Sequence, residues 1–226
     1  MKNISKKLIY KNPLSCAEDV KDFVAEGHVK VSFDNGVMQL ASVLDAKLGQ
    51  AANYVYWCNE EFPSDVMIKW KFRPLSEIGL CILFFSARGA GGEDIFDERL
   101  KKRDGRYDMY HSSDINAFHI SYYRTNFRTV AGEPALRTCN LRKSCGFHMV
   151  AQGGDPIPEL EYCKGFYELC IVKKGEKVEF FVNDIPVLSF RDDGKTFGAP
   201  LGGGKIGFRQ MSPMIGEYRD FEVYKI

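Results

Sequence analysis

Apolar residues recur in this chain at every second position, and that period calls for strands. In HVKVSFDNGVMQLAS (28–42) the alternation runs on both sides of Asp34-Asn35-Gly36. Successive strand side chains point to opposite faces and Asn-Gly tolerates positive φ, so the segment predicts a hairpin. VMIKWKF puts Ile68, Trp70 and Phe72 on one face, and LCILFFSA (80–87) is a near-continuous apolar strand. KVEFFVNDIPVLSF divides at Asn183-Asp184 into a second hairpin, and KIGFRQMSPMIGEYRDFEVYKI gives two strands joined by a loop with Pro213. Helical signal is thin. SCAEDVKDFVAEG offers Ser15 as an N-cap with Glu18 three residues later, which predicts a helix of about two turns. FDERLKKR (96–103) suits another turn or two. With no repeat, low-complexity tract or linker, the expectation is an all-β chain: residues 1–226 as one antiparallel jelly-roll sandwich domain with one or two short helices.

Composition narrows the function. The chain has 31 basic and 30 acidic residues, a balance that gives no global attraction to nucleic acid or an anionic membrane. No apolar run reaches membrane-spanning length, and MKNISKKLIYKNPLSC lacks the apolar stretch of a signal peptide, so a cytoplasmic protein is expected. Seven cysteines, with no CxxC pair, suit reduced thiols and offer no zinc spacing. Neither a phosphate loop nor a nucleophile elbow is present. No metal or cofactor is expected. Charge is uneven along the chain: Arg99 to Lys143 holds ten Lys or Arg against four Asp or Glu, and three of the four histidines fall within Arg99 to His148.

The basic middle contains the candidate site. In DINAFHISYYRTN (114–126), Phe118, Ile120 and Tyr122 share one strand face and His119, Ser121 and Tyr123 the other. Applying core parity to neighbouring strands turns Arg209 away from Ile206 and Phe208, Asn140 and Arg142 away from Leu141, and His148 away from Phe147. If these strands share a sheet, His119, Tyr123, Asn140, Arg142, His148 and Arg209 line one surface; the alternative is a solvated sheet face with ordinary polar pairs. Arginine and asparagine donors hold a carboxylate, Arg in a bidentate fork. A nearby His or Tyr then takes the proton α to that carboxylate or protonates a leaving oxygen. Those demands fit an acidic sugar and β-elimination. Hydrolysis asks instead for two spaced carboxylates, and Glu93, Asp94, Asp108, Asp114 and Asp155 all lie in predicted loops. His111 sits in a loop that can reach the mouth of the groove. His28 reads as structural, and Asp192-Asp193-Gly194 as a turn rather than a calcium loop.

YKNPL, the Trp57-Cys58 pair, GEDIFD, YHSSDINAFHISYYR, RTCNLRKSCGFH, GGDPIPE and GKIGFRQMSPMIGEYRDFEVY together resemble the bacterial YesU family. The likeness runs from about Tyr10 to Tyr224. That family is a domain of unknown function in the concanavalin A-like lectin/glucanase superfamily. The resemblance implies a concanavalin A-like sandwich with a carbohydrate-linked role, and it supplies no reaction. The EXDXXE signature of the superfamily's retaining glucanases is missing from Glu93–Glu98. The combined expectation is an acidic oligosaccharide in a concave groove, cleaved by elimination or hydrolysis. In it, His119 and Tyr123 are acid/base groups; Asn140, Arg142 and Arg209 orient the sugar, with His148, His111, Glu93 and Asp94 as further binding candidates. A non-catalytic lectin-like module is the alternative.

Overall fold

The computed structural model describes residues 5–125 and 136–226; Asn126, which closes the central stretch, lies outside them. The first seven strands are β1 (Lys7–Asn12), β2 (Val24–Gly27), β3 (Val29–Asp34), β4 (Val37–Ser42), β5 (Tyr54–Phe62), β6 (Val66–Pro74) and β7 (Gly79–Gly89). A one-turn helix, α1 (Asp108–His111), precedes β8 (Ile115–Thr125), β9 (Thr138–Lys143) and β10 (His148–Gly154). The chain closes with β11 (Tyr167–Lys174), β12 (Lys177–Val182), β13 (Ile185–Arg191), β14 (Gly204–Met211) and β15 (Gly216–Lys225).

These strands form two antiparallel sheets. One runs β13-β12-β11-β6-β15-β4-β3, with β1 also on β15; the other runs β10-β9-β8-β7-β14-β5-β2. Their facing sides share one core, to which Ile68, Trp70 and Phe72 contribute from the first sheet and Leu83, Phe85, Phe118, Ile120 and Tyr122 from the second. Trp70 and Phe72 both meet the Tyr122 ring, at centroid distances of 5.7 and 5.2 Å. Each such side chain stabilises the fold by about 1.5–3 kcal/mol on leaving water.

Both expected hairpins form. Asn35 and Gly36 have φ of 50° and 73°, and Asn183 and Asp184 have 47° and 62°. Two consecutive left-handed residues match the twist of the flanking strands. The two-turn helix does not form. Residues 17–20 make a single 3₁₀ turn, closed by Asp19 rather than Glu18: its carboxylate accepts from the Ser15 backbone N–H and hydroxyl, both at 2.7 Å. Val24–Gly27 instead pairs with β5, from Val24 opposite Trp57 to Gly27 opposite Tyr54. A helix that short is marginal, and the ladder satisfies the same backbone groups. Residues 96–103 hold turns, because Asp94 and Asp97 accept from the backbone N–H groups of Phe96 and Arg99 and so compete with helix formation.

Asp192 is not a cation donor. Its carboxylate pairs with the buried Lys143 ammonium at 2.8 Å, which ties the segment after β13 to the second sheet. Asp193 accepts from the backbone N–H groups of Lys195 and Thr196, as a turn does. All seven cysteines are free thiols. Among the described residues no helix is long and apolar enough to cross a membrane.

The connection from β7 to β8 folds back over the outer face of the second sheet. Ile95 and Tyr110, with Leu100, Tyr107 and Met109, pack there on Val55, Trp57, Ile82, Phe84 and Ala117 in a second, smaller core. Arg103 anchors this cover through Glu26 at 2.7 Å, and Glu26 also accepts from the Trp57 indole at 2.8 Å. Gly105 has φ of 96° and lies so close to Asn53 that a side chain there would collide with the Asn53 carbonyl.

Candidate functional site

Register brings part of the expected set together. Pairing of β7, β8 and β9 aligns Phe84, His119 and Arg142 in one cross-strand row and Ile82, Ser121 and Asn140 in the next, while β14 sets Arg209 opposite Ile82. On the outer face His119, Ser121, Asn140 and Arg142 line a pocket of about 160 Å³, completed by Leu80, Ile82, Tyr107, Arg124 and Phe147. Among the described residues no aspartate or glutamate is in that lining.

His119 is buried between two hydroxyls. Its Nδ1 lies 3.1 Å from Tyr107 Oη and its Nε2 lies 2.9 Å from Ser144 Oγ. Ser144 Oγ also accepts from the Ala117 N–H at 3.1 Å and donates to the Ala117 carbonyl at 3.2 Å. One proton placement satisfies all of these contacts: Nε2–H donates to Ser144, and the Tyr107 hydroxyl donates to Nδ1. Burial holds the imidazole pKa well below its ordinary 6.5, with the neighbouring charges of His111, Arg209 and Arg142 acting in the same direction. The ring is therefore neutral at neutral pH. In the unfolded chain it takes a proton near 6.5, so its contribution to stability is intact above that pH and is lost as pH falls from 6.5 toward the depressed folded value. Denaturant titrations at two pH values in that window should show the wild type losing up to about 1.4 kcal/mol per pH unit more than His119→Gln. Equal slopes would mean that the imidazole is solvated.

Two arginines, Arg124 and Arg142, line the pocket, and a third, Arg209, lies beneath Tyr107. The Arg142 guanidinium lies 3.7 Å from the Phe147 ring centroid and donates to the Phe147 carbonyl at 3.0 Å. Asn140 Oδ1 accepts from Gln152 Nε2 at 2.7 Å. Arg209 is fully buried beneath the Tyr107 ring, 4.6 Å from its centroid, and donates through Nη2 to Gln50 Oε1 and the Gly105 carbonyl. Its Nε and Nη1 have no hydrogen-bond partner among the described residues. Burial pushes the Tyr107 phenol up to about 12, while Arg209 and Arg142 pull it down.

Tyr123 is not in the pocket. β8 carries one extra residue against β7 between Tyr122 and Thr125. Tyr123 takes a left-handed φ of 49° and turns into the core, against Phe72 at 5.8 Å, where its hydroxyl donates to the Ser76 carbonyl at 2.9 Å. The acid/base role expected of Tyr123 is therefore withdrawn. The same bulge returns Arg124 to the pocket side.

His148 is also displaced. It opens β10 opposite Lys143 and packs at a tilt on Phe197, with ring centroids 5.2 Å apart, outside the pocket lining. Phe147, expected to point inward, is half-exposed beside the pocket, 4.4 Å from the His111 ring. Strand alternation begins only after the 144–147 turn. His111 flanks the mouth, 4.9 Å from the Tyr107 ring. Glu93 and Asp94 do not reach the pocket: Glu93 accepts from the Gly91 N–H and Asp94 pairs with Lys205 at 3.0 Å. Asp155 is buried, accepting from the backbone N–H groups of Arg124 and Ile157. Among the described residues no three metal-ligating side chains cluster.

Tyr107, Arg124, Ser144 and Phe147 were not anticipated. The spacing of Tyr107 and Tyr110 in RYDMYH, three apart, is the signal that a helical turn presents both rings to one surface.

Comparisons with known proteins place this architecture. The family described as a domain of unknown function, DUF1961, matches residues 7–223. The uncharacterized protein YesU of Bacillus subtilis (strain 168) is 48% identical over 217 residues, 96% of this chain and 95% of that protein. A crystal structure of a Bacillus subtilis protein of unknown function with a galectin-like fold has a TM-score of 0.90 at 46% identity, covering 96% of each chain. A prokaryotic β-1,3-1,4-glucanase (lichenase) derived from a mouse hindgut metagenome has a TM-score of 0.58 at 10% identity, over 98% of this chain and 99% of that one, a likeness of fold alone. With the family matched over nearly its whole length and a relative identical at almost half its positions, the chain belongs to the DUF1961 family.

Proposed function

We propose that this protein binds an acidic oligosaccharide in the outer-face pocket and cleaves it by β-elimination. The observation that carries the reading is a cationic lining around a hydrogen-bonded Tyr107–His119 pair, with no carboxylate in it. Hydrolysis by two carboxylic acids has no pair to use among the described residues of the lining. The galectin-like and glucanase-like neighbours support a sugar as the occupant by analogy of fold.

Arg142 and Asn140 hold the sugar carboxylate, and the charge they draw acidifies the α C–H. As Tyr107 Oη takes that proton, its own hydroxyl proton passes to His119 Nδ1. The C–H electrons form a C=C bond and the β C–O bond breaks. The leaving oxygen takes the proton held on Tyr107, and Tyr107 recovers its own from His119. Arg209, beneath the ring and without a carboxylate partner among the described residues, stabilises the transient phenolate.

Incubation with a panel of uronate-containing oligosaccharides should yield unsaturated products. Arg142→Ala should raise KM at least about tenfold, the loss expected when one partner of a charged contact is removed. No product and no calorimetric binding across the panel would defeat the proposal. A binding module without turnover is favoured by one observation, that both His119 nitrogens are already occupied. In that case ligand binds, nothing is cleaved, and affinity is unchanged in Tyr107→Phe.

A further inference from the structure

Building on the acidic-sugar reading above, we propose that the pocket takes the terminal residue of a chain, so that the protein acts on chain ends and short oligosaccharides rather than within a polymer. A polymer lying across a sandwich face needs a groove open at both ends. Here the β5, β14 and β7 side of the outer face is already occupied by the protein itself: Tyr110 lies 6.4 Å from the Trp57 ring and 5.3 Å from the Phe84 ring, and Ile95 is buried with them.

This cover is a fixed wall. Arg103 is bonded to Glu26 and, at 2.6 Å, to the Ile95 carbonyl; Gly105 N–H donates to Tyr110 Oη at 3.0 Å. Tyr107 is its last residue on the pocket side, held by His119 from one direction and by the Arg209 guanidinium from below. A second wall stands at the His119 end of the pocket, where Phe147 packs on Arg142 and His111, and its ring lies 5.6 Å from Tyr107. The pocket volume of about 160 Å³ is below the roughly 300 Å³ at which ordinary ligand pockets begin. That space suits about one sugar ring. One wall blocks the path across the strands and the other the path along them, so a straight chain with a ring seated against Tyr107 and Phe147 ends at that ring.

The test uses the unmodified protein and length series, from disaccharide to polymer, of the uronate-containing glycans in the panel above. Expected are products of one or two units from every length, with polymer viscosity falling only slowly as they accumulate. Early collapse of viscosity with fragments of intermediate length would overturn chain-end action while leaving elimination of an acidic sugar intact. If ligand is bound and not cleaved, one protein per chain at all lengths supports the inference, and several proteins along one polymer overturn it. No binding and no product at any length would remove the acidic-sugar reading and this inference with it.

Discussion

Arg103→Met should lower the unfolding free energy by about 3–5 kcal/mol, the loss expected when one partner of a buried ion pair is deleted. The Arg103 side chain is 3% exposed and that of Glu26 10%. Without the guanidinium the Glu26 carboxylate keeps its indole donor from Trp57 but loses its counter-charge. The cover over the outer face also loses the bond to the Ile95 carbonyl. The variant should therefore weaken ligand binding as well, since Tyr107 is the pocket side of that cover. Chemical denaturation measures the first effect, and the double variant Arg103→Met/Glu26→Gln identifies its cause. Removing the stranded charge should recover part of the loss, a coupling that a double-mutant cycle reads directly. A loss below about 1 kcal/mol, in the range of exposed pairs, would show that water reaches the pair.

Tyr107→Phe should lower the elimination rate about 1,000-fold, within the span that positioned acid–base groups supply, and equivalent to about 4 kcal/mol of barrier. The substitution keeps the ring over Arg209 and against Phe147 and removes only the hydroxyl that bridges to His119. Fold and affinity should both be retained, so the effect falls on kcat rather than KM. His119→Ala is a poorer probe, because it opens a cavity and leaves Ser144 with one partner fewer. Turnover of Tyr107→Phe within a few-fold of wild type would take the proton-carrying role from Tyr107.

How far the site could be read from sequence depended on how regular the backbone is at each residue. His119, Asn140 and Arg142 obey parity because β8 and β9 pair without interruption from Phe118 to Ser121. Tyr123 defeats parity because one inserted residue reverses every assignment after it. Phe147 and His148 both depart from parity because a turn, which has no period of two, separates β9 from β10. Arg209 is on the expected face, yet its burial beneath Tyr107 arises from a segment about a hundred residues away in sequence, and no local pattern encodes that. The hairpins at Asn35-Gly36 and Asn183-Asp184 were legible for the opposite reason: turn and register are set by the two residues themselves. The carboxylates Glu93, Asp94 and Asp155 carried no reliable signal, since each is consumed by backbone donors or a lysine nearby.

The bulge at Tyr123 gives β8 something like a change of reading frame. Up to Tyr122 the even-numbered residues face the core and the odd-numbered ones the pocket; from Tyr123 onward the assignment is inverted. One strand thereby supplies two consecutive tyrosines to the interior and still delivers Arg124 to the pocket that His119 lines. Straightening the bulge with every residue kept would restore an uninterrupted alternation, turn Tyr123 to the pocket and drive the Arg124 guanidinium into the core. The pocket's charge and the sandwich's packing are thus punctuated by the same residue, and neither can drift in sequence without the other.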